Sequence, residues 1–370
     1  MTKFYSFYLP QFHPFNENDE WWGKGFTEWR NVVKEQPRFS GHHQPQIPAD
    51  LGFYDLRVPE TRIAQSMMAA ESGIDGFIYY HYWFHGKRIM DEPFNQMINS
   101  KEESFPFALC WANESWTRAW DGREREVLIS QRYSDEDDDE HVSFLCDIFK
   151  DPRYIKVGER PLFLIYRIGN HKCPEKFILK LRQRALEAGL PGVYLCGVKS
   201  SLSRDVYEKI LSLDLDAFID FQPNSDDFPA LGGVRYLFLE ALRKYLPDAL
   251  YQYLKLHGSA NKVVNYKKLI EGKGKSSLSY YRRVFPCVFP SWDNSARRKT
   301  ATIIQNECPS AFGQWLEFSV KSVQSYPEDE RVVFINAWNE WAEGCHLEPD
   351  LKNGFKFLNV IKGVKNGGSF

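Results

Sequence analysis

Short apolar segments recur along the chain, separated by longer segments in which apolar residues are spaced as on one face of a helix. Eight of the apolar segments are nearly continuous, which is typical of strands that are covered on both faces. They span residues 3–9, 74–82, 106–111, 161–166, 192–198, 217–221, 284–289 and 332–337. Helical spacing is clearest in residues 58–72, 175–188 and 311–325.

The order of these segments predicts the fold class. Strands that alternate with helices pair in parallel through right-handed crossovers, and eight such units predict an α/β fold, a closed (β/α)8 barrel of the TIM type. We expect residues 1–370 to form this single barrel domain, with long loop insertions near 14–50 and 223–277. The alternative is an open doubly wound sheet. It is disfavoured because the first strand is followed by PQFHP at residues 10–14 and not by a glycine-rich phosphate loop.

Composition narrows the class of partner. With 43% hydrophobic residues the chain can bury a substantial core, and a net charge of −2 provides no basic excess for nucleic-acid binding. Aromatic residues make up 16% of the chain, with 11 Trp and 19 Tyr. Trp and Tyr in these numbers indicate a cleft lined with flat amphipathic rings.

Cysteine usage and the N-terminal segment bear on the compartment. The seven cysteines are scattered without a C-x-x-C pair, so neither a disulfide framework nor a zinc ribbon is expected. The N-terminal residues lack the charged and long apolar regions of a signal peptide. No apolar segment approaches the roughly 18 residues that a membrane span needs. A cytoplasmic protein without a transmembrane segment is therefore expected.

Polar groups with neighbouring aromatic rings follow the predicted strands, at the end where barrels of this type collect their chemistry. Sugars have apolar C–H faces that stack on rings and hydroxyls that bond amides, carboxylates and guanidinium groups. This combination favours a carbohydrate ligand. The candidate substrate-binding residues are Gln11, His13, His81, Trp83, Trp111, Asn113, Glu114, Trp116, Arg118, Tyr166, Trp292, Trp338, Asn339 and Trp341.

Two carboxylates follow the last apolar segment. Glu340 and Glu343 are three residues apart and are flanked by Trp338 and Trp341. Because the strand before them is buried, these side chains are expected at the catalytic face and not in bulk solvent. A pair of carboxyl groups beside aromatic walls is what acid–base chemistry on a sugar needs.

Several of these features also have plainer interpretations. Trp338 and Trp341 are also compatible with simple packing at the barrel rim, and Glu114 with a salt bridge. His81 and His85 have the i, i+4 spacing of metal ligands, but no carboxylate lies between them and the segment is strand-like. The acidic run 135–140 is interpreted as a solvated helix start next to Ser134. No metal site and no cofactor is predicted.

Several blocks of rare Trp, His and Asn combinations carry a family resemblance. They lie at residues 7–14, 21–29, 42–48, 73–77, 80–83, 111–118, 338–344 and 348–349. Together they resemble the WbsX-like proteins of bacterial surface-polysaccharide loci, which are similar to glycoside hydrolase family 99. The resemblance runs from about residue 3 to 360.

The resemblance implies a (β/α)8 barrel that acts on glycans. Family 99 enzymes are retaining endo-acting mannosidases, and their N-E-W-x-E motif falls on residues 339–343 of this chain. By this likeness Glu340 is the base that takes the proton of the sugar 2-hydroxyl, which gives a transient 1,2-anhydro sugar. Glu343 is the acid that protonates the leaving oxygen and later activates water.

Three functional hypotheses remain open. The first is a glycoside hydrolase or transglycosidase that acts on a bacterial surface polysaccharide or related glycan. The second is a glycosyltransferase of O-antigen, lipopolysaccharide or capsule biosynthesis, although no glycine-rich loop or convincing D-x-D element supports a nucleotide site, since the D-x-D-like run 135–140 is better interpreted as a helix start. The third is a non-catalytic glycan-binding protein. All three predict an oligo- or polysaccharide partner.

Overall fold

The computed structural model describes residues 1–118, 123–200, 210–228, 245, 261–273 and 283–368. Within them, eight parallel strands form a closed barrel. These strands are β1 Lys3–Tyr8, β2 Gly76–Phe84, β3 Phe107–Trp111, β4 Arg160–Ile165, β5 Tyr194–Lys199, β6 Ala217–Asp220, β7 Arg283–Val288 and β8 Val332–Ile335.

The first strand closes the barrel because it pairs in parallel with both β8 and β2. In the register, Lys3 is opposite Val332 and Tyr5 is opposite Gly76. The predicted TIM barrel is thus confirmed, and each strand lies within two residues of a predicted apolar segment. The continuous runs located the strands well because strands inside a helical layer are buried on both faces.

The helices were only partly predicted. The segments 58–72, 175–188 and 311–325 correspond to the helices Pro59–Glu71, Pro174–Glu187 and Pro309–Ser322, and the acidic run 135–140 begins the helix Asp135–Ile148. Ser134 caps that helix by accepting the N–H of Asp137 at 3.2 Å. The helices are α1 Asn16–Trp22, α2 Trp29–Lys34, α3 Pro59–Glu71, α4 Glu92–Asn99, α5 Asp135–Ile148, α6 Pro174–Glu187, α7 Tyr266–Lys273, α8 Pro309–Ser322 and α9 Lys356–Lys365.

Short strands outside the barrel shape its loops. Lys87–Ile89 extends β2 as a hairpin, Lys156–Val157 pairs with β4, and Trp116–Arg118 pairs with Arg123–Ile129. A small sheet contains Lys262–Asn265, Thr302–Gln305 and Trp292–Asp293, and Asn339–Glu340 pairs with Cys345–His346.

The two predicted loop insertions contain secondary structure. Insertion 14–50 includes α1 and α2, and insertion 223–277 includes Lys262–Asn265 and α7 in its described part. The remainder of 223–277 lies outside the described residues. Across the described ranges, no helix has the length and apolar character needed to cross a membrane.

Successive residues of each strand face opposite sides of the barrel wall, and this alternation decides which side chains reach the site. On β1, Phe7 points inward and packs against Phe221 and Tyr80, with ring centroids 5.1 and 5.6 Å away. Its neighbour Tyr8 points outward and donates to Gln65 of α3 at 2.7 Å.

Candidate active site

The chain after β8 makes a tight hairpin. The strands Asn339–Glu340 and Cys345–His346 are joined by a 3-10 turn, Trp341–Glu343, and by Gly344. Gly344 has φ +54°, and a Cβ there would lie 2.7 Å from Gln46 Nε2 and 3.0 Å from the Asp293 nitrogen. Only glycine fits this conformation and this space without strain. The turn brings both glutamates of the motif to one side of the barrel mouth.

The back of the hairpin is tied to the barrel. Asn339 accepts from the Leu9 N–H at 2.7 Å and donates to the Leu9 carbonyl at 3.0 Å, which fixes the hairpin to the end of β1. Trp341 donates to the Glu348 carboxylate at 2.6 Å, and Tyr54 donates to the same carboxylate at 2.8 Å. These contacts hold the turn in place from behind.

Glu340 and Glu343 open into a common cavity of about 380 Å³ at the carboxyl end of the barrel. This volume is within the range of small-ligand pockets. Five of the predicted substrate-binding residues share its wall with the two glutamates: Gln11, Glu114, Trp116, Tyr166 and Trp292.

Arg297 joins the two glutamates and a third carboxylate. Its Nη2 donates to Glu340 at 3.0 Å, and its Nη1 lies 2.8 Å from a Glu343 oxygen. The Nε and Nη2 edge of the same guanidinium binds both oxygens of Glu28, with 2.6 Å between Nη2 and Oε2. Glu28 is fully buried, and the side chain of Glu343 is 24% exposed. Among the described residues, this one guanidinium therefore contacts three carboxyl groups.

Burial dominates the electrostatics of this cluster. It raises the pKa of Glu340 to about 8, against the lowering effect of Arg297 and with further raising by Glu343 and Glu28. Burial also raises the pKa of Glu28. Burial alone would lower the pKa of Arg297, but attraction from the three carboxylates raises it well above its ordinary value. The cluster therefore keeps its cation and, at neutral pH, a proton on Glu340.

Insertion 14–50 holds the segment that carries Arg297 in place. Arg38 donates to the carbonyl groups of Ser295, Arg298 and Lys299 at 2.6 to 2.8 Å. Asp293 accepts from His42 at 2.6 Å. The Arg38 guanidinium thus bonds the backbone on both sides of Arg297 and fixes the position of this segment.

Three predicted residues lie on the other face of their strands, and this corrects the expectation that they line the site. His81 bonds His141 of α5 at 3.0 Å, and Trp83 donates to Asp137 at 2.8 Å. Trp111 packs against the His141 ring at 4.5 Å. The alternation along β2 and β3 puts these side chains in the helical layer, where burial lowers the pKa of His81 to about 3.

Six further predicted residues also lie outside the cavity wall: His13, Asn113, Arg118, Trp338, Asn339 and Trp341. Asn113 links two strand ends, because it accepts from the Arg167 N–H at 2.7 Å and donates to the Arg167 carbonyl at 2.8 Å. Arg118 pairs with Glu126 and lies over the Trp22 ring at 5.3 Å. His13 and Trp338 are fully buried, and burial lowers the pKa of His13 to about 4.

Several cavity residues were not predicted. They are Trp22, Tyr80, Tyr82, Phe221, Arg297, Arg298 and Asn336 in the wall, with Glu28 behind it. Tyr80 and Tyr82 alternate along β2 with the predicted residues His81 and Trp83. A prediction that placed the opposite face of β2 toward the site would have included both tyrosines. Glu28 lies in the Trp-rich block 21–29, which was noted only for its resemblance. For Arg297 the sequence offers no local signal.

Three phenols in the wall have hydroxyls that bond no protein group among the described residues. They belong to Tyr80, Tyr82 and Tyr166, whose oxygens are not sealed from the cavity. By contrast, the buried Tyr154 and Tyr266 donate to backbone carbonyls at 3.0 and 2.6 Å. Burial raises the pKa of all three cavity phenols, so they remain neutral hydrogen-bond groups.

Solved structures similar to this one show the same fold. The GH99 endo-alpha-mannosidase from Bacteroides thetaiotaomicron in complex with BIS-TRIS-propane has a TM-score of 0.58 at 14% identity, over 99% of this chain and 97% of that one. A glycoside hydrolase-like protein has a TM-score of 0.56 at 12% identity, over 98% and 93%. At these identities the likeness concerns the fold.

Sequence relatives give the family. The uncharacterized protein WxcX of Xanthomonas campestris pv. campestris, from strains ATCC 33913 and B100, is 38% identical over 361 residues, which are 96% of this chain and 48% of the relative. The chain thus spans about half the length of the curated relatives it matches. The family model described as glycosyltransferase WbsX matches residues 4–361. The resemblance noted in the sequence is confirmed, and this chain belongs to the WbsX family.

Proposed function

We propose that this chain is a retaining glycoside hydrolase or transglycosidase that acts on a bacterial surface polysaccharide or a related glycan, with Glu340 and Glu343 as its catalytic pair. The observation that carries the proposal is that both carboxyl groups line one cavity and contact one guanidinium. Most glycoside hydrolases cleave the glycosidic bond with a pair of carboxyl groups in one cleft. Rings of Trp116, Tyr166 and Trp292 offer stacking surfaces for a sugar.

The resemblance to family 99 suggests a role for each acid. In the first step the Glu340 carboxylate takes the proton of the sugar 2-hydroxyl, and O2 attacks C1. The bond from C1 to the leaving oxygen breaks as Glu343 protonates that oxygen, and a 1,2-anhydro sugar forms. In the second step Glu343 takes a proton from water and the water oxygen attacks C1. The C1–O2 bond of the anhydro sugar breaks, and Glu340 returns its proton to O2. An acceptor hydroxyl in place of water gives transglycosylation.

These roles require one proton on the pair, placed on Glu343. The raised pKa of Glu340, about 8, means that in the empty site this proton resides on Glu340. A sugar 2-hydroxyl that donates to Glu340 favours its ionised form, which is the form that the first step requires. Above about pH 8 the pair loses the proton, and we expect kcat/KM to fall there because no acid remains to protonate the leaving group.

A glycosyltransferase is the second candidate. It is favoured by the description of the family model and by Arg298, a cation on the cavity wall that would suit a donor phosphate. A non-catalytic glycan-binding protein is the third. It has less support, because such a protein has no use for two acids that share a cation.

The test uses the purified chain with α-linked manno-, rhamno- and fuco-oligosaccharides, with and without sugar nucleotides. We expect release of reducing ends without a nucleotide, and initial products of retained anomeric configuration by NMR. Glu340→Gln and Glu343→Gln should each lower the rate at least about 100-fold. Glu126→Gln is the matched control, because Glu126 is a half-exposed carboxylate that pairs with Arg118 and does not line the cavity.

Other outcomes would contradict the proposal. Strict dependence on a nucleotide donor would identify a glycosyltransferase. Inverted products would exclude the two-step mechanism, because direct attack of water on the opposite face gives inversion. Tight glycan binding without turnover, unaltered by either substitution, would identify a binding protein.

A further inference from the structure

Glu28 is the third carboxylate on Arg297, and it lies behind the cavity wall. Its side chain is fully buried, and both of its oxygens bind the guanidinium. We propose that Glu28 is a positioning residue: acting through Arg297, it fixes the guanidinium between the two glutamates of the pair and takes up part of its charge. This inference rests on the role proposed for that pair.

The geometry of the guanidinium makes Glu28 its anchor. Two parallel N–H groups on one edge go to Glu28, and this fork fixes the plane of the group as a single bond cannot. The remaining directions then point Nη2 at Glu340, at 3.0 Å, and Nη1 at Glu343, at 2.8 Å. With Glu28 in place, both contacts to the pair follow from one rigid planar group.

Glu28 is itself fixed to the hairpin that carries the pair. It directly precedes α2, whose first residue Trp29 packs on Trp341 of the hairpin at 5.6 Å. Trp29 also donates to the Tyr54 carbonyl at 2.8 Å. The packing of Trp29 on Trp341 therefore fixes the position of Glu28 relative to Glu340 and Glu343.

The charge balance gives Glu28 a second effect. With Glu28 present, Arg297 divides its attraction among three acids. If the Glu28 charge is removed, the pair experiences more of the cation and less repulsion, and its remaining proton leaves at lower pH. Within the part of the chain that the structure describes, the other ionisable groups around the cluster are Tyr80 and Tyr82 of β2, Tyr166 after β4, Cys345 of the hairpin, and Glu114 and Arg298 on the cavity wall. Burial keeps the tyrosines and Cys345 neutral.

The test compares Glu28→Gln with the wild type across pH 5 to 10, in two measurements. One is kcat/KM on a cleaved glycan, and the other is the ¹³C NMR titration of labelled glutamate carboxyl groups, which needs no substrate. We expect both the alkaline fall in kcat/KM and the titration of the pair to move to lower pH by about one unit. Glu28→Asp keeps the charge but places it farther from Arg297, so its titration should also move to lower pH, by less than in Glu28→Gln.

Glu35→Gln is the matched control, because it removes a carboxylate from Arg38, which supports the same loop without contacting the pair. A purely structural role for Glu28 predicts that Glu28→Gln and Glu35→Gln lower kcat/KM by the same factor at every pH, and that neither moves the alkaline fall or the NMR titration. That result would overturn the inference. If Glu28→Gln does not fold, Glu28→Asp provides the test. An alkaline fall in kcat/KM that moves to lower pH supports the inference. A fall that stays at the wild-type pH, with kcat/KM unchanged, refutes it. If the wild type cleaves no glycan, the proposed function fails, while the NMR titration still tests Glu28.

Discussion

Arg297→Gln removes the cation that three carboxylates share. Glu28 and Glu340 are buried, so a negative charge on either carboxyl group cannot be hydrated once the cation is lost. Removing one partner of a buried ion pair costs about 3–5 kcal/mol, because the other partner is left uncompensated. We expect the free energy of unfolding at pH 7.5 to fall by about this amount, together with the loss of glycan cleavage.

The loss should depend on pH, with a sign that follows from proton binding. Without Arg297 the pKa of Glu28, which burial already raises, rises further. The folded variant then binds a proton that the unfolded chain releases near its ordinary carboxyl pKa, so stability is lost as the pH increases. One such proton changes the free energy by about 1.4 kcal/mol per pH unit, or about 3 kcal/mol between pH 5.5 and 7.5. The cost of the substitution should therefore be small at pH 5.5.

Urea unfolding followed by tryptophan fluorescence at pH 5.5, 6.5 and 7.5 measures both quantities. Arg38→Gln is the control, since Arg38 donates mainly to backbone carbonyl groups and its loss should cost a similar amount at every pH. A loss below about 1 kcal/mol for Arg297→Gln at pH 7.5 would refute the reasoning. An equal loss at pH 5.5 and 7.5 would refute it as well.

Three other substitutions test separate features of the site. Glu340→Gln should stabilise the fold relative to the wild type, and increasingly so from pH 5 to 8, by at most about 1.4 kcal/mol per pH unit. The reason is that the raised pKa of Glu340 makes the wild type lose stability over this range, and thermal unfolding measures the difference. Tyr82→Phe should lower kcat/KM about 10-fold at unchanged stability, whereas Tyr54→Phe, which loses a 2.8 Å bond to a buried carboxylate, should cost about 1–3 kcal/mol. Gly344→Ala should unfold at lower urea concentration than Gly354→Ala, which has a similar φ but no atom within 4 Å of an added Cβ.

The fold was predictable because its physical cause is local. Strands buried on both faces require continuous apolar runs, and such runs stand out in a single sequence. The cap at Ser134 was equally visible, since acidic residues favour the first turn of a helix. Helices α1 and α2 were not predicted, because short helices in a segment dense in polar and aromatic residues depend on tertiary packing more than on periodicity.

The site was predictable where it touches a strand end and unpredictable where it depends on contacts distant in sequence. Glu340 and Glu343 follow β8 directly, so their placement came with the strand. Tyr82 was missed in favour of its neighbour Trp83, because a near-continuous apolar run does not reveal which face is inward. The pairing of Glu28 with Arg297 spans 269 positions, and only the closed barrel brings the two together.

The barrel closes between its first and last strands, and this fixes when the cavity can form during synthesis. Glu340 is made 312 residues after Glu28, a delay of about 15 to 60 seconds at ordinary translation rates. Throughout that time β1 lacks β8, and Leu9 lacks the amide of Asn339 that later bonds both of its backbone groups. A growing chain that stops short of residue 340 thus has no Glu340–Arg297–Glu28 cluster, and the cavity takes shape only when β1 and β8 have paired.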